Sequence, residues 1–187
     1  GSATAFTKIE VTTSTPYRLF FYCTNHSGMG NSVTVPQGIA TRAFSGGGYP
    51  SYSNSIEAID LTTTGNSFDF GDMSATKYAV GAIGGTVKGL LFGGSPNGGG
   101  TNLNTIDQII IRSLGNSTDF GDLVTATNYP TGLGNQTRGV YGGGYAGGYL
   151  NTMGYVTIAA GGNALDFGDL HLLQEECLLV VVLVPIQ

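Results

Sequence analysis

The chain has 187 residues, enough for one ordinary domain with a buried core. Glycine supplies 32 of them, more than twice its usual share of roughly 7%, which argues against a mainly helical protein. With 10% charged and 41% hydrophobic residues the chain is neither a polyelectrolyte nor a disordered segment. Seven basic and 12 acidic residues, net −5, exclude a general binder of nucleic-acid phosphates. The longest apolar run, Cys177 to Ile186, is ten residues, well short of the roughly twenty that span a bilayer. A folded, turn-rich, all-β protein is the class that remains.

At the amino end, residues 1–36 contain an aromatic stretch from Pro16 to Tyr22, a compact loop, and a second apolar stretch that ends at Val35. This pattern predicts a β-hairpin. Its loop reads Cys23-Thr24-Asn25-His26-Ser27-Gly28-Met29. The Cys-x-x-His-x-x-Met spacing resembles the ligand loop of cupredoxins, where thiolate, imidazole and thioether reach one copper ion and another histidine comes from elsewhere. The resemblance implies that Cys23, His26 and Met29 are an incomplete copper-like set. The sole other histidine, His171, lies beyond the repeats described next, so no complete copper site within the chain and no cofactor are expected. The plain alternative is a hairpin kept for its packing, with Cys23 a small buried hydrophobe.

Residues 37–170 are repetitive. Asp69-Phe70-Gly71-Asp72 returns as Asp119-Phe120-Gly121-Asp122 and as Asp166-Phe167-Gly168-Asp169, at separations of 50 and 47 residues. Before each copy comes a Gly-Asn pair, at Gly65-Asn66, Gly115-Asn116 and Gly162-Asn163. Before those pairs lie alternating segments, Ile56 to Leu61, Ile106 to Ile111 and Met153 to Ile158. The pairs Ile59/Leu61, Ile109/Ile111 and Val156/Ile158 share one strand face and are expected in the core. Gly-Asn predicts a turn, and a further strand should carry each phenylalanine. Upstream, Arg42 to Tyr49 and Arg138 to Tyr145 each run through three glycines into a tyrosine, with a weaker copy at Gly89 to Gly94.

A hydrophobic strand into a diglycine, an alternating strand, a turn and an aromatic resemble the Kelch repeat of β-propellers, and the period fits. Kelch repeats usually carry tryptophan where this chain has Phe70, Phe120 and Phe167. The Asp-Phe-Gly-Asp form and the amino-terminal hairpin both resemble modules of marine bacteriophage tail-fibre and structural proteins. The resemblance implies an all-β fold of about three Kelch-like blades, in an open or partial array, preceded by a cupredoxin-like hairpin. Closed propellers typically need four to eight blades, so something must cap the array: blades from another chain, an oligomer, an open stack, or a longer protein.

In residues 171–187 the pattern breaks into a glycine-free, apolar run. Two readings stay open: a shifted reading frame, or a closing strand or oligomer contact.

Little here predicts catalysis. Asp-Phe-Gly in three copies at fixed period is scaffolding, since a kinase has it once beside a catalytic loop and lysine strand absent here. The glycine runs lack the lysine and following helix of a phosphate loop. The paired aspartates are expected to accept backbone hydrogen bonds that fix a turn, with calcium binding as the alternative. Tyr49, Tyr52, Tyr145 and Tyr149 are candidate glycan-stacking residues, the competing reading being plain packing. The expectation is a non-enzymatic structural or adhesion module, of a virion or extracellular, that presents loops to a host surface or glycans. Its expected partners are copies of itself or other virion proteins, and neither nucleic acid nor a membrane. The alternative is a secreted carbohydrate-binding or carbohydrate-active propeller.

Overall fold

The computed structural model describes residues 18–22, 30–34, 42–85, 87–98 and 100–171. The chain divides into two compact units, Gly1–Ile39 and Ala40–Gln187. In the first unit, β1 (Arg18–Tyr22) pairs antiparallel with β2 (Gly30–Thr34), Tyr22 opposite Gly30. The predicted hairpin is present. Its loop, with Cys23, His26 and Met29, lies outside the described residues, as does the segment 172–187.

The second unit is all-β across its described residues. Its first sheet has β3 (Arg42–Gly46), β4 (Ser55–Asp60) and β5 (Phe68–Asp72). The second has β6 (Gly81–Gly84), β7 (Lys88–Phe92), β8 (Thr105–Ile110) and β9 (Thr118–Asp122). The third has β10 (Thr131–Gly134), β11 (Arg138–Gly142), β12 (Thr152–Thr157) and β13 (Leu165–Asp169). Each sheet is an antiparallel meander in which consecutive strands are neighbours. The three matched sequence segments therefore fold alike.

Each Asp-Phe-Gly-Asp motif is a β-bulge. In the first sheet Ile56 faces Gly71 and Glu57 faces Asp69, so Phe70 is the extra residue; Phe120 and Phe167 hold the same place. The extra residue bends the strand and re-aims its side chain. The preceding aspartate fixes the bend: Asp69, Asp119 and Asp166 each accept, through Oδ1, the amide of the glycine two residues on.

Apolar side chains fill the spaces between sheets. Phe44, Ile56, Ala58, Phe70 and Met73 of the first repeat meet Leu91 and Ile109 of the second. Leu90 and Phe92, alternating with Leu91 on β7, turn the other way and meet Tyr141, Val156 and Ile158 of the third. The middle sheet is thus covered on both faces. Its burial of Phe120 contributes about 1.5–3 kcal/mol.

One expectation fails at an end of the array. Ile109, Ile111, Val156 and Ile158 are buried as expected, but Ile59 is 40% and Leu61 62% exposed. No sheet among the described residues packs on that face of the first repeat. At the other end Phe167 is 47% exposed, whereas Phe70 and Phe120 are buried.

Candidate functional site, a tyrosine-lined cleft

Because every sheet is a meander, the loops after β3, β5, β7, β9 and β11 all emerge at one end. Glycines let them crowd: on β6 and β10 a Cβ at Gly81 would stand 2.3 Å from the Pro130 carbonyl oxygen, and one at Gly132 2.4 Å from that of Ala82. These two edge strands of the second and third sheets therefore touch backbone to backbone.

Hydrogen bonds lock the loops above them. Tyr78 and Ser95 exchange backbone bonds of 3.0 and 2.9 Å, Asn128 and Tyr145 exchange equivalent bonds of 3.2 and 2.8 Å, and the Tyr129 amide donates to Ala79 O at 2.8 Å. Between these loops lies a cleft of about 690 Å³, lined by Gly46–Gly48 and by Tyr49, Tyr52, Tyr78 and Tyr129. The rings form a chain of contacts: Tyr49 to Tyr52 at 5.8 Å, Tyr52 to Tyr78 at 5.4 Å, and Tyr78 to Tyr129 at 6.1 Å with planes 85° apart. Edge-to-face rings at such distances hold one another in place.

Three non-glycine residues with positive φ, Tyr52 (43°), Ala79 (56°) and Tyr129 (55°), line this cleft. Each costs about 1–3 kcal/mol, and such strain persists where the surroundings over-determine it. Here the ring contacts and the Tyr129 to Ala79 bond supply that constraint.

Apart from tyrosine hydroxyls, no titratable side chain among the described residues lines the cleft. Partial shielding from water and then the neighbouring Tyr78, Tyr49 and Tyr52 raise the Tyr129 pKa above its ordinary 10.0. Its hydroxyl thus stays a neutral donor and acceptor near pH 7. The arrangement can stack against a flat, weakly polar face and hydrogen-bond its rim.

Of the four tyrosines predicted from sequence, Tyr49 and Tyr52 stand together in the cleft, while Tyr145 and Tyr149 form a separate edge-to-face pair at 5.6 Å. Sequence reasoning missed Tyr78 and Tyr129. Both follow an Asp-Phe-Gly-Asp motif by six or seven residues, a recurring position that could have flagged them. The described residues contain no group of three or more His, Cys, Asp or Glu able to hold a metal ion, and no helix long and apolar enough to cross a membrane. No protein-family model and no curated protein matches the chain.

Proposed function

We propose that the protein is a non-enzymatic adhesion or structural module, of a virion or tail fibre, whose loops recognise glycans on a host surface. In this reading the three sheets are Kelch-like blades of a propeller and the amino-terminal hairpin is cupredoxin-like. The resemblances of the repeat and the hairpin support the virion setting. The observation that carries the binding role is the strained, hydrogen-bonded cleft of Tyr49, Tyr52, Tyr78 and Tyr129, open to solvent. Exposed aromatic faces of this kind suit the apolar face of a sugar ring, and their hydroxyls suit its edges.

Saturation-transfer NMR against a panel of neutral bacterial surface oligosaccharides tests the reading. Transfer to ring protons that Tyr52→Ala and Tyr129→Ala abolish supports it. Absence of transfer across the panel, or transfer indifferent to both substitutions, overturns the glycan assignment.

A further inference from the structure

The repeats are joined by one device used twice. At the first joint Gly115 N donates to Phe70 O (2.9 Å), Ser117 N to Asp72 O (2.7 Å), and Asp72 N to Asn116 Oδ1 (3.0 Å). At the second, Gly162 N donates to Phe120 O (2.9 Å), Ala164 N to Asp122 O (2.7 Å), and Asp122 N to Asn163 Oδ1 (3.0 Å). The Gly-Asn turns of the second and third repeats therefore each sit on the Asp-Phe-Gly-Asp bulge of the repeat before. A cation adds a second clasp: Arg42 Nη1 reaches Ile111 O at 3.1 Å, and Lys88 Nζ reaches Ile158 O at 3.4 Å.

Each end of the array keeps half of this device. The first repeat presents Gly65-Asn66-Ser67, identical to Gly115-Asn116-Ser117, with Leu61 where Ile111 stands in the second. The third presents Asp166-Phe167-Gly168-Asp169, identical to the first bulge, with Arg138 where Arg42 and Lys88 stand. Among the described residues no turn rests on that last bulge. A Cβ at Gly71 or Gly121 would fall 2.4 or 2.5 Å from the next turn, while one at Gly168 meets nothing within 4 Å. Leu61 and Phe167 are exposed where their counterparts are buried.

We propose that these ends are the two halves of an interface between copies of this chain, joined head to tail. Gly65 and Ser67 of one copy donate to Phe167 and Asp169 of the next, Asn66 accepts from the Asp169 amide, and Arg138 reaches the Leu61 carbonyl. The occupant is a second copy because both halves, down to the tripeptide and tetrapeptide, are on one chain. Two copies bring six sheets, within the roughly four to eight of closed rings of such sheets, and closure uses the same joint twice about a two-fold axis. The interface buries the apolar ends at Ile59, Leu61 and Phe167. It does not depend on which ligand the tyrosine cleft takes.

The test is the mass in solution of the 187-residue chain, by light scattering and sedimentation. The expected species has twice the chain mass of 19.2 kDa. Leu61→Asp and Phe167→Asp alter opposite halves at exposed positions, so each alone is monomeric with an unchanged far-ultraviolet spectrum. Their equimolar mixture forms a heterodimer through the one intact joint. Asn66→Ala, which removes no hydrogen bond among the described residues, takes one bond from each of the two joints and weakens the dimer about a hundredfold. Where Phe167→Asp disturbs β13, Arg138→Ala reports the same half. A monomeric wild-type chain overturns the proposal. So does a dimer that survives both aspartate substitutions, or a mixture that stays monomeric.

Discussion

Lys77 of the first repeat and Asp107 of the second form an ion pair at 2.6 Å with both side chains withdrawn from water. The pair is furnished with further partners: Lys77 Nζ donates to Thr105 Oγ1 at 3.2 Å, and Asp107 Oδ1 accepts the Ser117 hydroxyl at 3.0 Å and the Ser74 amide at 3.4 Å. In the next joint the aspartate position is Gly154, and the Tyr141 hydroxyl enters the vacated space to accept the Val124 amide at 2.8 Å. Ser74 and Val124 are equivalent residues, so one backbone donor is satisfied by a carboxylate in one joint and a phenol in the other.

Breaking the ion pair from one side leaves a buried charge. Lys77→Met is expected to destabilise by about 3–5 kcal/mol, whereas the double replacement Lys77→Met/Asp107→Leu recovers most of that loss. Urea unfolding of the three proteins checks the order.

Tyr141→Phe strands the Val124 amide and should cost about 1–3 kcal/mol. It also removes a pH dependence. Burial, with a smaller push from Asp166, raises the Tyr141 pKa above 10.0, against an opposing pull from the Val124 amide. A raised folded-state pKa contributes stability that is full below the unfolded value near 10.0 and fades as pH climbs through the folded value. Unfolding free energy should therefore fall above that pH in the wild type, and fall less steeply in Tyr141→Phe.

The same substitution at two copies of one motif separates close approach from backbone strain. Gly121 (φ 146°) and Gly168 (φ 128°) both lie in the region that favours glycine, but only at Gly121 does a Cβ meet a neighbouring turn. In the monomeric Leu61→Asp background, where no partner turn covers Gly168, Gly121→Ala is expected to lower the melting temperature well beyond Gly168→Ala. In Gly168→Ala the fold itself bears only the strain, of about 1 kcal/mol.

Much of the fold was legible in the sequence because it is periodic. The bulge motif, the Gly-Asn turns and the alternating segments each recur three times, and three copies of a pattern fix strand register where one would not. Burial of Ile59 and Leu61 was misread for the same reason: equivalent positions in a repeat share a conformation, but not a neighbour, and among the described residues the first repeat has none on that face. Asn116 and Asn163 show a further limit. Their positions marked a turn, while their role as acceptors for Asp72 and Asp122 depends on a contact more than 40 residues away. At the cleft, Tyr49 and Tyr52 stood out by following a glycine run. Tyr78 and Tyr129 enter it only because β6 and β10 bring successive loops together.

Within the cleft, Tyr49 is 72% exposed, so Tyr49→Ala should leave stability within about 0.5 kcal/mol and weaken the glycan binding proposed above. Tyr145→Ala, in the separate pair, should leave that binding unchanged. Parallel thermal melts and oligosaccharide titrations distinguish the two outcomes.

Amide hydrogen exchange in the monomeric Leu61→Asp variant tests most directly whether each turn is clasped to the bulge before it. The account predicts slow exchange at Gly115, Ser117, Gly162 and Ala164, whose amides cross between sheets, and fast exchange at the matching Gly65 and Ser67. Equal rates at the clasped and unclasped turns would contradict it.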